Sequence, residues 1–155
     1  MSQSSVAEKF SILIADDDAD DRELIKAAFE ENNFRHSIKF VEDGEELLKY
    51  LRRKGSYADE ADHPLPQIIL LDLNMPKKDG REALKEIKTD SYLKYIPVIV
   101  LTTSTEKKDV QKIYELGVNS FVIKPVTFRQ LVAFTNTLGK YWFEFVELPN
   151  TRSLS

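Results

Sequence analysis

Apolar residues in this chain gather into five short runs, and between the runs their spacing loosens to that of helices. The runs are 10–15 (FSILIA), Ile38 with Phe40 and Val41, 67–73 (QIILLDL), 97–102 (PVIVLT) and 120–124 (SFVIK). Most are continuous rather than alternating, as strands covered on both faces require. The second run is interrupted and predicts a less buried strand.

Between them, apolar positions recur at three- and four-residue intervals. Leu24, Ile25, Ala28 and Phe29 predict a first helix ending at Asn32-Asn33. Asp43 followed by Glu46 resembles a capping box, and Leu47, Leu48 and Leu51 line one face of the second helix. Ala83, Leu84 and Ile87 point inward from a helix over 81–89; Val110, Ile113 and Tyr114 do so over 106–116, where Gly117 supplies a stop. Thr127 caps a last helix carrying Phe128, Leu131, Val132, Leu138 and Trp142, and Leu148-Pro149 ends or follows it. The stretch 54–66 (KGSYADEADHPLP) reads as a loop, long for such a connection.

Five strands alternating with five helices predict an α/β fold, with a parallel sheet covered on both faces and right-handed crossovers. For five strands the doubly wound, flavodoxin-like order is 2-1-3-4-5, and chemistry belongs beyond the C-terminal ends of the strands. The chain of 155 residues suits one domain. The expected division is a flexible segment over 1–8, the domain over 9–146 and a short tail over 147–155, with no room for an output domain. A net charge of -4 argues against a nucleic-acid surface. There are no cysteines, no secretory leader pattern and no apolar run near the roughly 20 residues needed to span a bilayer. These features lead to the expectation of a cytoplasmic protein without membrane contact.

Polar residues then break the pattern at the strand ends. Asp16 and Asp17 follow the first strand, Asp72 closes the third inside ILLDL, Thr102 ends the fourth and Lys124 the fifth. In the order 2-1-3-4-5 they converge on one edge of the sheet. An Asp within an apolar strand is expensive unless it is paired. Three carboxylates meeting at one edge call for a cation, and hard oxygen ligands suit Mg²⁺. Asp18, Asp20 and Asp21 stand where the first helix begins, and there they cap amides and favour the helix dipole. An EF-hand loop beginning at Asp16 fails, because Asp21 stands where Gly is needed and Ala27 where Glu is needed.

With ILIADDD, ILLDLNMPKKDG, PVIVLTTS and SFVIKP in this order and spacing, the chain from about residue 10 to about residue 141 resembles the CheY-like receiver domain of two-component response regulators. The resemblance implies that Asp72 is the phosphoacceptor. It implies that Asp17, Asp72 and the backbone carbonyl of Asn74 ligate Mg²⁺ (with Mn²⁺ able to substitute). Asp16 would act through a metal-bound water or position Asp17. Lys124 and Thr102 would contact the phosphoryl group. Thr102 and Phe121 would form a switch biasing the surface of the fourth helix, fifth strand and fifth helix. Phe121 stands where the family often has Tyr, so a hydroxyl-dependent switch is excluded. Thr103 replaces a frequent Ala, and Asn74 and Ser104 occupy positions that tune phosphoryl lifetime. The Lys124-Pro125 bond is expected to be cis. Such a protein catalyses at most its own phosphorylation and dephosphorylation.

The long loop and the aromatic end, GKYWFEFVELPNTRSLS, resemble stand-alone receivers that partner phytochrome-type and hybrid kinases. The implied partners are a sensor histidine kinase, a histidine phosphotransfer protein, or both. Tyr141, Trp142, Phe143 and Phe145 cover more than one helix face, so this end and the switch surface are expected to form a homodimer or a docking surface for a partner. Two rivals are weighed. A haloacid-dehalogenase-like phosphatase usually carries a second acid two residues after its nucleophile, where this chain has Asn74. A receiver-like scaffold that is never phosphorylated has no need of all five filled positions.

Overall fold

The computed structural model describes residues 10–34, 36–59, 61–73, 75, 79–103 and 107–149, with backbone alone for 107–109. The expected flexible segment over 1–8 lies outside them, as do Asn74, Ser104 and residues 150–155.

Five parallel strands form one sheet in the order β2-β1-β3-β4-β5, as expected. They are β1 (Ser11–Ala15), β2 (Ser37–Val41), β3 (Ile68–Asp72), β4 (Val98–Thr102) and β5 (Ser120–Ile123). The crossing helices are α1 (Ala19–Glu31), α2 (Gly44–Leu51), α3 (Gly80–Thr89), α4 (Lys107–Glu115) and α5 (Phe128–Lys140).

Side chains alternate across a strand, so each central strand feeds two cores. Leu13, Ile69, Leu71 and Val100 pack with Leu47 and Leu48 of α2, Leu84 and Ile87 of α3 and Ile113 of α4. Ile12, Ile14, Leu70 and Leu101 face the other way, against Ile25 and Phe29 of α1 and Leu131 and Leu138 of α5. Every residue of β1, β3 and β4 is buried, whereas the edge strands β2 and β5 are mostly half-buried. Full burial of each Leu or Ile contributes about 1.5–3 kcal/mol, and this holds the strand ends at fixed heights. α1 and α5 are also tied by polar contacts: Asn32 Nδ2 donates to the Val132 carbonyl at 3.0 Å and to Thr135 Oγ1 at 2.8 Å.

Several expectations shift. The stretch 54–66 contains a 3-10 turn, Gly55–Tyr57. It is anchored by rings, with Tyr50, Tyr57 and His63 in mutual contact at centroid distances of 5.2 to 5.6 Å. The Tyr50 hydroxyl donates to the Pro64 carbonyl at 2.9 Å, so this loop carries its own small core. Tyr114 was expected inward but is 47% exposed. Its hydroxyl accepts the Phe121 amide at 3.1 Å, which holds the ring at the rim of the sheet. Leu24 likewise lies at the surface.

The last helix passes into a π-helical turn, Tyr141–Phe145. Trp142 and Phe143 fold back on the core, while Tyr141 and Phe145 stay exposed. Phe143 stacks on Phe10 at 4.3 Å and also touches Phe34 and His36. His36 Nδ1 accepts the Phe10 amide at 2.9 Å, which closes this cluster at the N-terminal ends of β1 and β2. Among the described residues no helix is long and apolar enough to cross a membrane.

Candidate metal and phosphoryl site

The opposite edge of the sheet carries the acids. Asp16 continues β1 by one residue, its amide donating to the Val41 carbonyl at 3.0 Å. Its Oδ1 accepts the Asp18 amide at 2.9 Å, a tight turn that aims the carboxylate back over the strand ends. Asp18 then caps α1, accepting the amides of Asp20 at 2.8 Å and Asp21 at 3.2 Å. Arg22, one turn into α1, donates to the Asp16 carbonyl at 2.7 Å and to Glu42 at 3.0 Å. The backbone of Asp16 is thus braced from both sides by protein groups.

Asp72 is the last residue of β3 and is buried, in register with Leu101 of β4. Behind it, Gly80 opens α3 and donates its amide to the Leu73 carbonyl at 3.1 Å. The approach is close: a Cβ at Gly80 would lie 2.6 Å from Leu73 Cα, 2.8 Å from the Asp72 carbonyl oxygen and 2.9 Å from that of Leu73. Asp79 and Glu82 complete a capping box, which fixes where α3 starts.

Lys124 follows β5, and its amide donates to the Thr102 carbonyl at 2.9 Å. Its ammonium reaches three carboxylates: Asp21 at 2.7 Å, Asp16 at 2.8 Å and Asp72 at 3.2 Å. Burial by itself would lower the Lys124 pKa. The hydrogen bonds it donates to Asp16 and Asp21 and the charges of Asp16 and Asp72 outweigh it, so the ammonium is held well above the ordinary lysine range. Burial dominates at Asp16 and pushes its carboxyl above the usual range, against the lowering by Lys124.

The structure therefore brings together Asp16, Asp17, Asp72 and Lys124, with Thr102 buried at the end of neighbouring β4. Phe121 is half-buried and packs on the core beneath α4. Asn74, the expected backbone ligand, falls outside the described residues. The expected cis bond is corrected: the Lys124-Pro125 peptide is trans. The trans form is intrinsically favoured even before proline, by about 0.5–1 kcal/mol, and the ammonium reaches all three carboxylates without isomerisation.

Asp21 is the addition. It was accounted for as a helix-start acid, yet its carboxylate belongs to the Lys124 network. The only local hint was its position one turn beyond Asp17.

The acids fit a divalent metal. One oxygen from each of Asp16, Asp17 and Asp72 lies within 4.8 Å of the others. A small cation binding oxygen at about 2.1 Å spans nearly that width, and all the donors are hard carboxylate oxygens. Asp17 is exposed, so an open side remains for water or substrate oxygens.

Comparison with known proteins agrees with this geometry. Residues 12–136 match the response regulator receiver domain. The chain is 40% identical over 149 residues to the response regulator Rcp1 of Synechocystis sp., covering 96% of this chain and 99% of that protein. The crystal structure of the phosphorylated cyanobacterial phytochrome response regulator RcpA superposes with a TM-score of 0.84 at 39% identity, over 92% of this chain and 100% of that one. The Mn²⁺-bound form of Rcp1 superposes with a TM-score of 0.80 at 38% identity, over 90% and 99% of the two chains. The likeness to these relatives thus runs across nearly the whole length of both chains. The chain belongs to the response regulator receiver domain family.

Proposed function

We propose that this receiver accepts a phosphoryl group on Asp72 from a phosphohistidine of a sensor kinase or a histidine phosphotransfer protein. The observation that carries the reading is the contact of Lys124 Nζ with the buried Asp72 carboxylate at 3.2 Å, beside two further acids. A carboxylate oxygen of Asp72 forms a bond to phosphorus as the phosphorus–nitrogen bond of the donor breaks. The electron pair leaves with the imidazole, and the product is an aspartyl phosphate. Such transfer depends on positioning and on charge aimed at the phosphoryl oxygens.

Asp16, Asp17 and Asp72 would hold a divalent cation, with Mg²⁺ the proposed ion and Mn²⁺ able to substitute. When bound, the cation neutralises charge on the transferring group. Lys124 supplies a donor to the phosphoryl oxygens once its contact with Asp72 is released. Thr102, at the end of β4, supplies the hydroxyl, and its movement lets Phe121 repack beneath α4. This biases the α4-β5-α5 surface between two states. Beside Lys124, the exposed Leu24 and Val126 flank a groove reaching Thr103 and Pro125, which gives the donor protein its footing.

The test is intact mass after incubation with acetyl phosphate, with and without Mg²⁺, for wild type and Asp72→Asn. One added phosphoryl group that needs both Mg²⁺ and Asp72 supports the reading. Its absence from wild type refutes it.

The partner class follows from the relatives, which are phytochrome response regulators by name. A phytochrome-type histidine kinase is accordingly proposed as the donor. A homodimer is proposed through α4-β5-α5 and the C-terminal aromatics. Tyr114, Ile123, Phe128, Tyr141 and Phe145 all expose large apolar area there, from 41% to 78% of each residue. Sedimentation that finds only monomer at high concentration, with and without phosphorylation, would remove the dimer.

A further inference from the structure

The start of α1 does not need the side chain of Asp21. Asp18 already caps the helix and takes the amides of both Asp20 and Asp21. The Asp21 carboxylate instead makes the shortest of the three contacts to Lys124, at 2.7 Å. An ammonium carries three N–H groups, and here three carboxylates receive it. Two of these side chains, Asp16 and Asp72, are nearly buried at 2% and 11% exposure, whereas Asp21 keeps 36% and stands at the mouth. Asp21 also lines the groove beside Lys124.

We propose that Asp21 is a positioning residue acting through Lys124, and that it tunes the site in two opposite directions: its carboxylate strengthens binding of the divalent cation and slows capture of the phosphoryl group. The proposal rests on the reading of Asp72 as phosphoacceptor and deepens it. A cation entering beside Asp16, Asp17 and Asp72 is attracted by every nearby carboxylate, and Asp21 adds one more through the ammonium it partly neutralises. An incoming phosphoryl group has the opposite needs. Its oxygens are negative, they require an N–H of Lys124, and Asp21 both occupies one donor and repels the newcomer. A residue that merely held the fold would change both quantities in the same unfavourable direction. A charge at the mouth moves them apart.

The experiment uses the full chain as wild type, Asp21→Asn, Asp21→Ala and Asp21→Glu. Calorimetric titration with Mg²⁺ gives Kd for each unphosphorylated protein. The initial rate of labelling by acetyl phosphate is then measured at a Mg²⁺ concentration that saturates each variant. For one partly exposed charge a few ångströms from the site, removal should raise Kd roughly three- to tenfold and raise the rate by a similar factor. Asn and Ala should agree with each other, and Glu should stay near wild type in Kd. Melting curves separate loss of charge from loss of fold; Asp21→Asn, which keeps the shape and removes the charge, carries the test if Asp21→Ala fails to fold, and Asp21→Glu is the charge-retaining control. Unchanged Kd and rate in a folded neutral variant, or both becoming worse there, would overturn the proposal. Failure of wild type to be labelled would instead overturn the phosphoacceptor reading.

Discussion

Gly80→Ala sets two physical effects of opposite sign against each other. Gly80 is the first residue of a helix, so by backbone entropy alone alanine should stabilise by about 0.5–1 kcal/mol. Packing says otherwise. The added methyl would meet three backbone atoms at 2.6, 2.8 and 2.9 Å, all belonging to Asp72 and Leu73. No side chain can swing aside to relieve contacts of that kind, so the overpacking cost belongs at the upper part of the usual range of about 1–3 kcal/mol. The net destabilisation is about 1–2.5 kcal/mol. For a chain of this size each kcal/mol lowers Tm by about 2–4 °C, so the variant should melt roughly 2–10 °C below wild type. Calorimetry reads that shift. Because relief requires β3 to move at Asp72, Mg²⁺ affinity should weaken in the folded variant as well. A Gly80→Ala protein that melts at or above wild type would refute the reasoning, leaving helix propensity as the larger effect.

Lys124→Gln removes the cation that competes with metal for Asp16 and Asp72; Mg²⁺ should bind about tenfold more tightly, while labelling by acetyl phosphate slows by about tenfold or more, and calorimetric titration with rate measurements checks both signs. Tyr50→Phe tests burial of a hydroxyl. Burial pushes the Tyr50 pKa from 10.0 up to about 12, so the folded state keeps a proton that the unfolded chain loses. That stabilisation is complete below pH 10 and is lost as pH rises from 10 to about 12. The Tm advantage of wild type over the variant should therefore shrink across that window in a pH series of thermal melts, and a constant gap would contradict it. Phe143→Ala removes the half-buried ring stacked on Phe10; a loss of about 1.5–3 kcal/mol is expected, read as a lower midpoint in urea unfolding at an unchanged slope.

Much of this molecule was legible in advance because its signals are local. A continuous apolar run such as IILL can hardly be anything but a buried strand, and an Asp at its end is costly enough to demand an explanation. Asp16, Asp17, Asp72, Thr102 and Lys124 were placed by strand-end position alone, and all lie at one edge of the sheet. Asp21 was missed because a first-turn acid already has a sufficient local account, and its real partner lies 103 residues away. Tyr114 follows the helical repeat that should turn it inward, but a hydroxyl seeks a hydrogen bond, and the Phe121 amide provides one at the rim. The trans bond before Pro125 was obscured by reasoning from resemblance, where the intrinsic preference already favoured trans. The ring cluster around His63 is invisible to periodicity, because irregular segments have no repeat to read.

The stacking of Phe10 on Phe143 also has a practical consequence for wiring this protein to others. It sets the first and last parts of the described chain side by side at the N-terminal edge of the sheet, while the acids lie at the opposite edge. Strands of five residues, at about 3.3 Å each, separate the two poles by about 16 Å. A label attached beside Phe10 or Phe143 leaves the charged pole clear for an incoming donor. A pair of fluorophores, one beside Phe10 and one beside Phe143, would sit close together in the folded protein and report any loosening of the aromatic clamp without touching the acids.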